Sequence, residues 1–179
     1  TENMDKFELG IAVQKVHDFI WDEFCDWYVE IAKYRIYHAE EDSQSANCAL
    51  WVLKTVLGQA LKLLHPFMPF ITEEIYGALV PEEESLMMSS WPVYREDWEF
   101  PYATEVIEHV KAITRGIRNM RAEMNVPNNK RTKVYIISSD SKLLTALEVL
   151  KESVKPLMLA NDIILHYEKK DVADDAVSI

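Results

Sequence analysis

Glycine is scarce here: four residues in 179. That is too few for an all-β fold or a Gly-rich nucleotide loop, and it favours long helices. Cysteine is nearly as sparse. Cys25 and Cys48 are too few for a disulfide framework, and each sits in a helical pattern, which suits a reducing, cytoplasmic setting. No apolar run approaches the ~20 residues of a membrane span, and the N-terminus lacks the layout of a signal peptide. Positive charge is missing from most of the chain. Residues 1–110 hold 7 Lys and Arg against 21 Asp and Glu.

What is present can fill a core. Hydrophobic residues make up 49% of the sequence and aromatics 11%, so a folded domain, with or without a smaller appendage, is expected. The net charge of −11 counts against a nucleic-acid partner, but it hides a basic island. Residues 111–133 carry seven basic residues against Glu123 alone. Repulsion from charges beyond roughly 10 Å is screened, so such a segment can still meet phosphate. On a helix wheel Lys111, Arg115, Arg118 and Arg121 occupy one arc of about 120°, and Lys130, Arg131 and Lys133 follow it. Arginine suits phosphate or a base edge because its planar fork is always charged. Charge alone describes the solvated side of an ordinary helix at least as well.

Periodicity divides the chain. A first helix is predicted to start between Met4 and Leu9 and run to about Tyr37, its stripe carried by Val16, Ile20, Phe24, Trp27 and Ile31. Inside it, the string WDEFCDWY (21–28) puts Trp21, Phe24, Cys25 and Tyr28 at i, i+3, i+4 and i+7, one face about 100° wide. Those four are expected to be buried and closed to base stacking, with Trp27 at the edge the ring left open to it. A polar connection, 38–45, leads to a helix over roughly 46–64 with Ala49, Leu53, Val56, Ala60 and Leu63 inward. Pro66 breaks that helix after His65, a structural corner residue, and Pro69 opens a short one through Leu79.

Residues 80–101, with three prolines and Glu82–Glu84, read as a long connection packed through Trp91. A helix over about 102–124 carries Val106, Val110, Ile113, Ile117, Met120 and Met124 in a narrow stripe. Past a boundary near 125–131 the pattern changes. TKVYIIS and DIILHYEK read as strands flanking a helix capped near Asp140 and interrupted near Pro156, and 171–179 as a stretch ending in a short third strand.

No catalytic set assembles from these residues. A di-metal carboxylate bundle needs Glu-x-x-His on two helices, and none occurs. Glu105, Glu108 and His109 crowd the start of one helix, where carboxylates favour the positive end of the dipole. Cys-x-x-Cys, a phosphate loop and a Ser or Cys nucleophile with a nearby His pattern are all missing. Neither a metal nor a cofactor is expected here.

Four segments in order, IWDEFCDWYVEIAK, LKLLHPFMPFITEEIY, SSWPVY and IRNMRAEMNVP, resemble the anticodon-binding region of the valyl-tRNA synthetases, a class Ia family. Together they run from about residue 7 to 133. The run around His-Pro-Phe-Met-Pro-Phe is shared with the class Ia helical bundle in general. The Glu-Phe-Cys-Asp-Trp-Tyr string and the Arg-x-x-Arg-Ala-Glu-x-x-Val-Pro ending point to the valine family over its leucine, isoleucine and methionine relatives.

The resemblance implies a mainly α fold. An anticodon-binding helical bundle would span 1–127, without its first helices, and a small α/β unit would span 128–179, ending before a coiled-coil arm. It implies tRNA(Val) as partner, together with the catalytic and editing domains of a parent chain, and neither a membrane nor DNA. In that family the whole ligase joins valine to its tRNA through valyl-adenylate, using ATP and Mg. The signatures HIGH and KMSKS do not occur in these residues, so this piece is expected not to be an enzyme by itself. The tRNA contacts expected are Arg115, Arg118, Arg121, Lys130 and Arg131, with Lys33 and Arg35 from the first helix. Tyr34 departs from the family, which often has Pro after the Lys, so the first helix can run a turn longer here. The acidic surface supports a competing expectation, a helical protein-interaction scaffold without RNA binding.

Overall fold

The computed structural model describes residues 1–169, 172, 176 and 177, and its chain divides into two compact units, Thr1–Glu96 and Asp97–Ile179.

The first unit opens with a single turn, α1 (Glu2–Asp5), and a long helical rod. The rod consists of α2 (Leu9–Asp18), a π-wound stretch Phe19–Val29, and α3 (Glu30–Tyr37). Backbone angles at both joints stay helical, so the winding changes without a break. In π winding each N–H bonds five residues back instead of four, and the form is rare. Here it coincides with the aromatic string. The rod buries Ala12, Phe24, Trp27, Ile31 and Ala32, with Val16 and Ile20 half-buried along the same line. Phe24 is inside as expected; the two tryptophans are exchanged. Trp21 is 61% exposed and stacks on His17, ring centroids 5.8 Å apart, whereas Trp27 is buried at 7%. Trp21 is one residue past Ile20, roughly 100° round from the stripe, and the eight-residue string is too short to locate the stripe's centre.

Helix α4 (Ser43–Leu64) begins inside the expected connection because the Asp42 carboxylate caps it, accepting the Ser45 N–H at 2.9 Å. Its buried side is made of small residues, Ala46, Ala49, Gly58 and Ala60, together with Leu61. Leu53, Val56 and Leu63 are half-buried. Small residues let neighbouring helices approach closely. At the HPFMP corner the Thr72 hydroxyl donates to the Met68 carbonyl at 2.9 Å. That leaves His65 Nδ1, 2.8 Å from the same oxygen, to act as the donor. His65 thus ties the end of α4 to α5 (Pro69–Leu79). Glu73 accepts the Leu86 N–H at 3.1 Å, and Leu61, Tyr76 and Leu86 form a buried cluster. Trp91 is half-exposed and is anchored through its indole N–H, which donates to Thr1 Oγ1 at 3.1 Å.

The second unit is built on α6 (Pro101–Glu123), whose first-turn proline loses no hydrogen bond. Val106 and Val110 are buried as expected, but the inward face then turns to Lys111, Thr114 and Arg121. Ile113, Ile117 and Met120 are half-buried, and Met124 is 53% exposed. β1 (Thr132–Ile137) and β2 (Ala160–His166) pair in parallel, Val134 against Ile163 and Ile137 against His166. Parallel strands need a crossover, and α7 (Ser141–Val154) supplies it. Asp140 caps α7, accepting the Lys142 and Leu143 N–H groups at 2.8 and 3.2 Å. The expected third strand lies outside the described residues for the most part.

Scarce glycine leaves a mark on the turns. Positive φ falls on Phe7, Asn125 and Leu159, at 59°, 54° and 54°. Each closes a helix or turn with the paired bonds of a Schellman motif. Around Asn125 these are Val126 N–H to the Arg121 carbonyl at 2.8 Å and Asn125 N–H to that of Ala122 at 3.1 Å.

Candidate nucleic-acid interface

The seven basic side chains picked out by the sequence separate by what they touch. Lys33 and Arg35 belong to the first unit and are engaged there. Lys33 pairs with Glu30, whose hydrogen bond is the main reason its ammonium titrates above the usual lysine value. Arg35 donates from Nε to Ser45 Oγ at 2.7 Å and from Nη2 to the Ser45 carbonyl at 2.9 Å, joining the end of α3 to the start of α4. Helix α3 runs on to Tyr37, so Arg35 lies in its last turn.

The basic arc of α6 is not a uniform surface. Lys111 is 4% exposed and bonds Glu108 at 2.8 Å, a contact that holds the Glu108 carboxyl below the usual glutamate range. Arg118 is exposed, but its Nε donates to the Leu157 carbonyl at 3.0 Å. Arg121 is buried at 6% exposure. It donates from Nη1 to Thr132 Oγ1 at 3.2 Å, and from Nη2 to the Pro127 carbonyl at 2.9 Å and to the Lys130 carbonyl. Both Nη groups of Arg121 are thus engaged by oxygens of its own unit, while its Nε is buried with no hydrogen-bond partner among the described residues.

Arg115, Lys130 and Arg131 are exposed. Arg131 reaches back to the Pro156 carbonyl at 3.4 Å, one residue from the carbonyl that Arg118 takes. Arg118, Arg121, Lys130 and Arg131 therefore meet where the loop after α6 runs into β1. Lys133 is exposed beside them. The alternation of β1, with Val134 and Ile136 buried, puts it on the outer side, although it is not among the expected contacts. Three basic side chains, Lys130, Arg131 and Lys133, are thereby exposed within four residues where the loop enters β1.

Among the described residues, no three His, Cys, Asp or Glu are placed to hold a metal ion, and no helix is long and apolar enough to cross a membrane. Residues 1–136 match the family model described as the anticodon-binding domain of tRNA ligase, a span that includes all seven basic residues. The chain is 49% identical over 140 residues to the valine–tRNA ligase of Clostridium perfringens, a match covering 78% of this chain and 16% of that protein. It is 41% identical over 178 residues to the Clostridium acetobutylicum valine–tRNA ligase, covering 99% and 20%, respectively. With the Carboxydothermus hydrogenoformans valine–tRNA ligase it shares 44% over 147 residues, covering 82% and 16%. It thus spans about a fifth or less of the length of these relatives. With the match running from residue 1 to 136, the chain belongs to the family of anticodon-binding domains of tRNA ligases.

Proposed function

We propose that this chain is the tRNA-binding module of a valine–tRNA ligase, and that its partner is tRNA(Val). The supporting observation is that a family-matched segment presents Arg115, Lys130 and Arg131 to solvent on an otherwise acidic chain. In this reading those three residues meet tRNA phosphates, and Arg118 joins them from the edge of the same corner. Arg121, Lys33 and Arg35 serve the fold. The catalytic and editing domains of a parent chain supply the ATP- and Mg-dependent attachment of valine in the cytoplasm, and the 179 residues alone catalyse nothing.

A filter-binding titration tests this, using a tRNA(Val) transcript and a non-cognate tRNA over a range of salt. Tighter binding of the cognate tRNA, with log Kd rising steeply with log salt, is the expected result. Absence of salt-dependent binding would sink the proposal. Valine-dependent ATP–pyrophosphate exchange by the purified chain would refute the claim that catalysis resides elsewhere.

A further inference from the structure

The loop from Asn125 to Arg131 has no regular secondary structure to hold it, and its residues other than half-buried Val126 are exposed. Arg121 fixes it at every stage. Its main-chain carbonyl accepts the Val126 N–H where the chain turns back at Asn125. Its guanidinium then takes the carbonyls of Pro127 and Lys130 and the hydroxyl of Thr132, the first residue of β1. Inside the loop, the Lys130 N–H bonds the Pro127 carbonyl at 3.0 Å, so one tight turn is held from behind by one side chain. Drawing two carbonyl oxygens inward also keeps their negative ends from an approaching phosphate.

We infer that Arg121 is the positioning residue of an RNA-facing loop: it acts through Lys130 and Arg131 and touches no RNA itself. This rests on the reading of Lys130 and Arg131 as phosphate contacts. Because Arg121 is buried, it contributes through the geometry it imposes. A lysine in its place offers one ammonium instead of the planar fork that joins three acceptors.

The experiment measures tRNA(Val) binding to the 179-residue chain between about 50 and 200 mM salt, where each phosphate neutralised contributes roughly 0.7–0.9 to the log–log slope. Replacing both Lys130 and Arg131 by Gln should flatten the slope by about 1.4–1.8. Arg121→Lys should remove about one unit or more. Added to the Lys130/Arg131 double variant, it should change nothing further. Thr132→Val, which removes one anchor and leaves the others, should give a smaller loss of the same kind and covers the case in which Arg121→Lys does not fold.

A folded Arg121→Lys with the parent slope overturns the positioning role, while flattening by the double variant upholds the reading of Lys130 and Arg131. An Arg121→Lys loss that adds in full to that of the double variant also overturns it, since the effect then does not pass through those residues. If the double variant leaves the slope unmoved, the reading of Lys130 and Arg131 as contacts fails, and the inference falls with it.

Discussion

Exchanging the two tryptophans of the first helix for alanine, one at a time, tests which face of the rod is inside. A fully covered aromatic side chain removes roughly 200 Å² from water. Trp27, 7% exposed, keeps nearly all of that, so at ~25 cal/mol per Å² Trp27→Ala is expected to cost up to about 4.7 kcal/mol. That lies within the ~3–5 kcal/mol typical of aromatic truncation in a core. Trp21 is 61% exposed, leaving roughly 80 Å² covered, an upper bound of about 2 kcal/mol before the methyl that remains is counted. Its stack on His17 is an exposed contact, and the expected loss is about 1 kcal/mol. Guanidinium unfolding followed by far-UV circular dichroism reads both, provided the slope of ΔG against denaturant is unchanged. Equal losses, or a larger one for Trp21, would show that the stripe through Ile20, Phe24 and Trp27 is misplaced.

Three further outcomes follow from local geometry. A methyl group at Gly58, in the interior of α4, would meet Tyr76 Cε2 at 3.8 Å and Leu79 Cδ2 at 3.9 Å, so Gly58→Ala should stabilise by about 0.5–1 kcal/mol. A destabilised variant would mean α4 and α5 are closer than this. Phe7, 88% exposed at φ 59°, should gain up to about 1 kcal/mol on replacement by Gly, which carries no left-handed penalty; a loss in thermal melts would assign the ring a packing role. The Glu108 carboxyl is held below its usual value of 4.5 by its hydrogen bond to Lys111. Its stabilising contribution is therefore complete above about pH 4.5 and fades as the pH falls through the lowered value. Glu108→Gln should lessen the acid loss of stability, and an unchanged pH profile would mean the pair does nothing in solution.

Helix existence was legible because long stripes average over local accidents. Val16, Ile20, Phe24, Trp27 and Ile31 together located the inner face of the rod, whereas the denser string at 21–28 misled by one residue through its chemical weight. The π winding was not legible, since it alters backbone pairing without a residue type that demands it. The Asp42 cap could have been read, because an Asp before Ser-x-Ser-Ala is an ordinary helix start. Thr114 and Arg121 on the inner side of α6 could not. Arg121 depends on oxygens delivered by a loop that turns back over it, and the Thr114 hydroxyl is buried without a hydrogen-bond partner among the described residues, so nothing in the local pattern announces either. The βαβ order at 132–166 was legible from alternation and the Asp140 cap.

Four basic residues in one helical arc therefore differ in burial and in partners, and charge cannot tell them apart. Lys111 is buried beside a carboxylate, so its field is largely cancelled within the unit. Arg121 is buried as deeply, yet the oxygens it binds are all neutral. Three charge-assisted hydrogen bonds offset much of the cost of its desolvation, and no anion among those partners quenches its charge. Its contribution to binding therefore runs through the placing of Lys130 and Arg131, whose loop it holds from behind. Lysine at 121 loses the planar fork that makes the frame, and its effect on the affinity for tRNA should vanish once Lys130 and Arg131 are already glutamine.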